Sequence, residues 1–128
     1  PEGWHVPTFG ELNELQSLMF SKYSKTGWEN EYAKCLATDY GWDFSEETMA
    51  VGNTDSPEYM NSSGFSGLPA GYRSGTEYIG LGNTAYFWCS TDNPIQGAYR
   101  LSITHNENRS YSVQRPLTDA FSVRCIRD

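Results

Sequence analysis

The segment 64–73, GFSGLPAGYR, is the strongest single constraint on how this 128-residue chain can fold. Three glycines and a proline break any helix there, while Phe65, Leu68 and Tyr72 make the segment too apolar for a solvated linker. It also divides the chain into two textures. Helical periodicity lies before it and short strand-like runs follow it. Helices first and an antiparallel meander afterwards is an α+β order.

Thr8 followed by Glu11 makes a capping box, and behind it Phe9, Leu12, Leu15 and Met19 recur at near-helical spacing. This predicts a helix over 9–21 with one buried face. A second, shorter helix is predicted over 31–37, ending before a turn at Gly41. Residues 43–63 are rich in Glu, Asp, Asn and Ser with little periodicity, which predicts a long surface loop with one helical turn near 46–50. Strands are predicted at 78–82, 85–90, 98–104, 111–115 and 121–125. The run 85–90 has bulky residues on both parities, as in a central strand covered on both faces. In 98–104, Tyr99, Leu101 and Ile103 alternate with Arg100, Ser102 and Thr104, predicting one buried and one polar face. Phe121, Val123 and Cys125 share a face of the last strand, which turns Cys125 inward. The polar cluster 105–108 reads as a hairpin loop. With no internal repeat, low-complexity tract or linker, residues 1–128 form a single domain on this reading.

Aromatic residues make up 15% of the chain, too many bulky apolar groups for a disordered segment. The formal charge is −7, which is the wrong sign for neutralising nucleic-acid phosphates or docking on an anionic membrane. No apolar run approaches the ~20 residues that a membrane span requires. The chain begins at Pro1 without a charged-then-apolar leader, as expected of a mature or trimmed domain whose targeting signal is not visible. Cys35, Cys89 and Cys125 form no CxxC or Cys/His cluster, so a zinc site is not expected, and no cofactor is implied. Three buried thiols, or one disulfide with one thiol, or a thiol whose partner lies outside the chain all fit an odd count.

Few motifs point to catalysis. Gly80-x-Gly82 is followed by no helix and is not a phosphate loop, and neither GxSxG nor HExxH occurs. His5, beside Trp4 and ahead of a helix, reads as a packed or capping residue. Cys89 has no His or Arg near it in sequence to lower its pKa and is not expected to be a nucleophile. Asp43, Glu46, Glu47, Asn53 and Asp55 offer hard oxygen ligands but lack the EF-hand order, so a solvated acidic loop is preferred to a calcium site. Exposed aromatics can stack on sugar rings while neighbouring amides bond the hydroxyls. Tyr78, Tyr99 and Tyr111, with His105, Asn106, Asn108 and Arg109, supply both kinds of contact and are the candidate ligand-binding residues.

Four motifs occur in order: Pro1-x-Gly3-Trp4-His5-Val6-Pro7-Thr8, then Gly64-Phe65-Ser66-x-Leu68-Pro69-x-Gly71-Tyr72-Arg73, then Tyr86-Phe87-Trp88-x-Ser90-Thr91, and last Phe121-Ser122-Val123-Arg124-Cys125-Ile126-Arg127-Asp128. Together they resemble the Fibrobacter succinogenes major paralogous domain, a family abundant in surface and secreted proteins of Bacteroidetes and Fibrobacteres. More distantly, WHVPTFGEL is similar to the helix entry of formylglycine-generating sulfatase-modifying factors, and the Val-Arg-Cys ending to their close. The resemblance implies a C-type-lectin-like fold: two N-terminal helices, a long irregular loop, a small twisted antiparallel sheet, and termini close together. It gives Trp4, Pro7 and Trp88 structural roles, makes Phe65, Leu68 and Tyr72 core anchors, and implies that Cys125 pairs with a cysteine just ahead of Pro1. Cys89 stands where the family commonly has Ser.

The function the resemblance implies is a non-catalytic binding module at the cell surface, extracellular or on the outer membrane, whose partner is a glycan or a protein. The alternatives are a structural module of a surface appendage or envelope assembly, and an enzyme akin to the formylglycine generators. The paired reactive cysteines of that enzyme are not recognisable around Cys89 or Cys125. Asp92-Asn93-Pro94 echoes the calcium-dependent sugar-binding loop of true C-type lectins only in the wrong order, so no calcium requirement is expected.

Overall fold

The capping box forms as the sequence predicts. Thr8 donates from both its backbone N–H and its Oγ1 to Glu11 Oε2, each at 2.8 Å, and Glu11 N–H returns a bond to Thr8 Oγ1 at 3.2 Å. In this computed structural model, which describes residues 1–23, 32–93 and 97–128, helix α1 runs from Phe9 to Tyr23. Its predicted inner face is real: Leu12 and Met19 are buried, and Phe9 and Leu15 pack against the core. Before the helix lies a two-residue strand, β1 (Trp4–His5).

Helix α2 is one turn, Ala33–Leu36, shorter than predicted, and Glu31 of the predicted span lies outside the described residues. All four of its residues are buried. The chain then runs irregularly to residue 69, broken only by the 3-10 turn Pro57–Tyr59. The turn predicted near 46–50 is present, closed by Ala50 N–H donating to Glu47 O at 3.2 Å. An irregular stretch of this length holds its shape only if its backbone groups find partners. Lys34 provides several: its buried ammonium donates to Asn53 O at 2.7 Å, to Asp55 O and to Asp55 Oδ1. Asp55 Oδ2 accepts Met49 N–H at 2.7 Å. Burial alone would raise the Asp55 carboxyl, but the Lys34 and Met49 bonds outweigh it and hold the group below its ordinary value.

Strands β2 (Ala70–Ser74), β3 (Glu77–Leu81), β4 (Thr84–Asn93), β5 (Gly97–Thr104) and β6 (Tyr111–Arg115) form a sheet in the order β3-β2-β4-β5-β6. The short strand β7 (Asp119–Ala120) pairs with β2. The molecule is thus a mixed helix-and-sheet fold, but the sheet is not purely antiparallel. Strands β2 and β4 pair in parallel at Gly71↔Ala85, because residues 75–83 form a whole hairpin arm before β4 begins.

The segment 64–73 proves to be part seam and part strand. Gly67 bridges in parallel with Ala37, and a Cβ there would lie 2.9 Å from Leu36 O. Gly71 has φ +67° and would drive a Cβ to 2.2 Å from Ile79 O. Only glycine lets the backbones approach so closely. Phe65 meets Phe87 edge-on at 5.1 Å and Tyr72 lies 5.2 Å from Tyr86, but Leu68 is 45% exposed and anchors nothing in the core.

Two further expectations are corrected. Strand β5 has no polar outer face: Arg100 and Ser102 are buried as fully as Leu101 and Ile103. The reason is a second layer on that side, where Phe121 packs 4.4 Å from Trp88 and 5.3 Å from Tyr86 and covers Arg100. Residues 121–125 do not make the last strand. Ser122 forms a single bridge to Phe87, Val123 is exposed and Cys125 half-buried. The final strand is instead β8 (Ile126–Arg127), which pairs with β1 and brings the two ends of the chain together.

His5 fastens this junction. Its Nδ1 lies 2.6 Å from Asp128 Oδ1 and its Nε2 3.0 Å from Glu11 Oε1, and only the imidazolium can donate to both. The bonds to Asp128 and then Glu11 raise the His5 pKa above its ordinary value. Glu11, bonded by Thr8 and by His5, is lowered to about 2.

Candidate functional site

At the end of the sheet where β4 begins and β5 ends, three chain segments meet around Gly52. Its N–H donates to His105 O, its carbonyl accepts from Ser45 N–H, and a Cβ there would fall 2.1 Å from Asp43 O. Asp43 N–H donates to Gly82 O, His105 N–H to Asn83 O, and Val51 N–H to Glu107 O. The loop around Gly52 is therefore clamped between residues 39–45 and the β5–β6 hairpin. It separates two clefts.

The first cleft, about 360 Å³, is lined by Asp39, Tyr40, Trp42, Asn53, Thr54 and Met60 among others. Tyr40 is 63% exposed, and Trp42 is half-buried against the core. The Trp42 Nε1–H is buried with no hydrogen-bond partner. A donor left unsatisfied in this way costs stability unless something takes its hydrogen bond. The Asn53 side chain holds the wall, donating from Nδ2 to Glu47 O and accepting at Oδ1 from Asp55 N–H. The second cleft, about 340 Å³, is lined by Glu47, Thr48, Asn106, Glu107 and Asn108 and is almost wholly polar.

The predicted ligand-binding residues are divided by the fold. Asn106 and Asn108 share the second cleft, and Tyr111 stands beside it, 44% exposed and donating to Glu107 Oε2 at 3.3 Å. Burial and the Glu107 charge push the Tyr111 phenol up. Arg109 is exposed on the same hairpin. His105 is half-buried, and its Nδ1 has no hydrogen-bond partner. Tyr99 is elsewhere: it stacks on Phe9 at 4.1 Å on the core side of β5. Tyr78, 85% exposed, stands on β3 at the far edge of the sheet. The sequence reading missed Tyr40 and Trp42. Their signal was the run Asp39-Tyr40-Gly41-Trp42-Asp43-Phe44, aromatic residues interleaved with carboxylates about a glycine turn.

The acidic loop residues are largely engaged. Asp55 is bonded to Lys34, and Asp43 accepts from Asn83 Nδ2. Among the described residues no group of three or more His, Cys, Asp or Glu side chains is placed to hold a metal ion. Cys89 is buried, which pushes its thiol up, and its Sγ lies 3.2 Å from Tyr99 O. No helix among the described residues is long and apolar enough to cross a membrane.

The fold and clefts define a small mixed α/β domain whose loops build a recessed surface at one end of its sheet. The chain belongs to the Fibrobacter succinogenes major domain family, whose sequence profile matches residues 1–127. No curated protein and no solved structure matches it.

Proposed function

We propose that the domain is a non-catalytic, cell-surface binding module of C-type-lectin-like fold, and that its ligand is a glycan held across the two clefts beside Gly52. The observation that carries this reading is the first cleft: an exposed tyrosine ring, an indole whose N–H is unspent, and the hydroxyl and carboxylate of Thr54 and Asp39. A pyranose needs such a combination, an aromatic face for its C–H surface and convergent polar groups for its hydroxyls. The polar second cleft supplies hydrogen bonds to a neighbouring sugar unit. The joined termini, the helix–long loop–sheet order and the loop-built surface agree with the C-type-lectin-like assignment. An extracellular or outer-membrane location follows from the same reading.

The Trp42 N–H is closed off in the free chain, so a ligand hydroxyl reaches it only when the cleft wall yields. Two variants test the site by calorimetric titration against an oligosaccharide that binds the wild type. Tyr40→Ala is expected to weaken binding about tenfold through loss of the stacking face. Trp42→Phe keeps an aromatic ring but removes the N–H donor together with the five-membered part of the indole, and should weaken binding while leaving the fold intact. Unchanged affinity in both variants would place the ligand elsewhere on the domain.

A further inference from the structure

Between α1, the Phe65–Phe87 pair and β8 lies a cavity of about 200 Å³. Leu12, Leu15, Phe65, Phe87 and Ile126 supply most of its wall, which is largely apolar. A cavity of about 150 Å³ lined by such side chains stays dry and accepts benzene. The space is therefore large enough for a six-carbon tail or a single ring, and water gains little by entering it.

Its charged neighbours are not equivalent. Glu11 has both carboxylate oxygens engaged, by His5 and by Thr8, and the facing imidazole compensates its charge. Arg124 lines the cavity yet is exposed, so it stands at the opening. Its guanidinium lies 5.0 Å from the Phe65 ring, and no carboxylate is within ion-pair distance of it among the described residues. A cation with its hydrogen-bonding edge unused, set at the mouth of an apolar hole, complements a carboxylate carrying a short apolar tail.

We propose that this cavity binds a small monocarboxylate, aliphatic or aromatic, with the tail among Leu12, Leu15, Phe65 and Phe87 and the carboxylate on Arg124. The site is separate from the glycan clefts and does not depend on them. Methyl NMR titrations with benzoate and hexanoate test it, with hexanol and hexylamine as controls. Benzoate or hexanoate should shift the Leu12, Leu15 and Ile126 methyl resonances saturably. Arg124→Gln, at an exposed position, should weaken carboxylate binding about tenfold while leaving any hexanol binding unaltered. Leu15→Phe should fill the space and abolish binding of every probe. Three results would overturn the proposal: no saturable shift with either acid, equal affinity for hexylamine, or carboxylate affinity indifferent to Arg124→Gln.

Discussion

Lys34, Arg100 and Trp42 each bury polar atoms, and their surroundings separate structure from function residue by residue. Lys34 is matched: a carboxylate and two carbonyls surround its ammonium. Arg100 is not. Its guanidinium rests 3.5 Å over the Tyr86 ring, with Nε and Nη1 bonded to nothing, and burial lowers its pKa. The two should respond oppositely to substitution. Lys34→Ala leaves Asp55 facing an emptied pocket and is expected to cost about 3 kcal/mol. Arg100→Met fills the same aromatic niche without a charge. The cation–π attraction it forfeits, about 2 kcal/mol, is outweighed by removing two unsatisfied guanidinium nitrogens and a buried charge. Urea denaturation should show Arg100→Met more stable than wild type by about 1 kcal/mol. A loss of stability instead would mean that the aromatic niche alone satisfies the cation.

At the scale of elements, the junction of β1, β8 and the α1 N-terminus makes a pH-dependent clasp. The His5 pKa is raised on folding, so its contribution is full below the unfolded value of 6.5 and is lost as pH rises through the folded value. Glu11 is lowered from 4.5 to about 2, so its contribution is present above 4.5 and is lost as pH falls toward 2. The clasp is therefore strongest between these two ordinary values. Thermal midpoints measured from pH 5 to 9 should fall more steeply in the wild type than in His5→Gln. Parallel curves would mean that His5 does not couple to folding.

Elements whose signals are local were legible in the sequence. The α1 capping box and its apolar face needed only residues 8–19, and the β5–β6 pairing needed only alternation and a polar turn. What failed depended on distant partners. Strand β2 was hidden because Gly71 reads as a breaker until Ile79 O is seen occupying the space of its side chain. Arg100 read as outward-facing because nothing local announces that Phe121 will cover it. Alternation at 121–125 misled for the same reason: the backbone there is bonded through Ser122 to Tyr86 and Trp88 of β4, and the closing strand that pairs with β1 begins only at Ile126. The candidate site was half legible. Asn106 and Asn108 were identified from their hairpin, but Tyr40 and Trp42 come from a stretch without periodicity, where only the tertiary clamp at Gly52 makes a cleft.

Across the whole molecule, charge is unevenly spread in a way that bears on the ligand. No Lys, Arg or His occurs between Lys34 and Arg73, whereas that stretch contains Asp39, Asp43, Glu46, Glu47, Asp55 and Glu58. Asp39, Glu47 and Glu107 line the two clefts. A surface of this sign repels uronates and sulfated sugars and leaves neutral glycans favoured. The Lys34 ammonium occupies the Asp55 carboxylate and the Asn53 carbonyl in the loop beside the first cleft, and we expect binding there to need no calcium. The most direct measurement is a glycan array probed with the purified domain and with Tyr40→Ala, each in calcium and in chelator. Glycan binding at these clefts requires that the wild type bind neutral glycans equally in both buffers and that the variant lose them. A wild type that binds no glycan, or that binds only with calcium, or a variant that binds as well as the wild type, would contradict it.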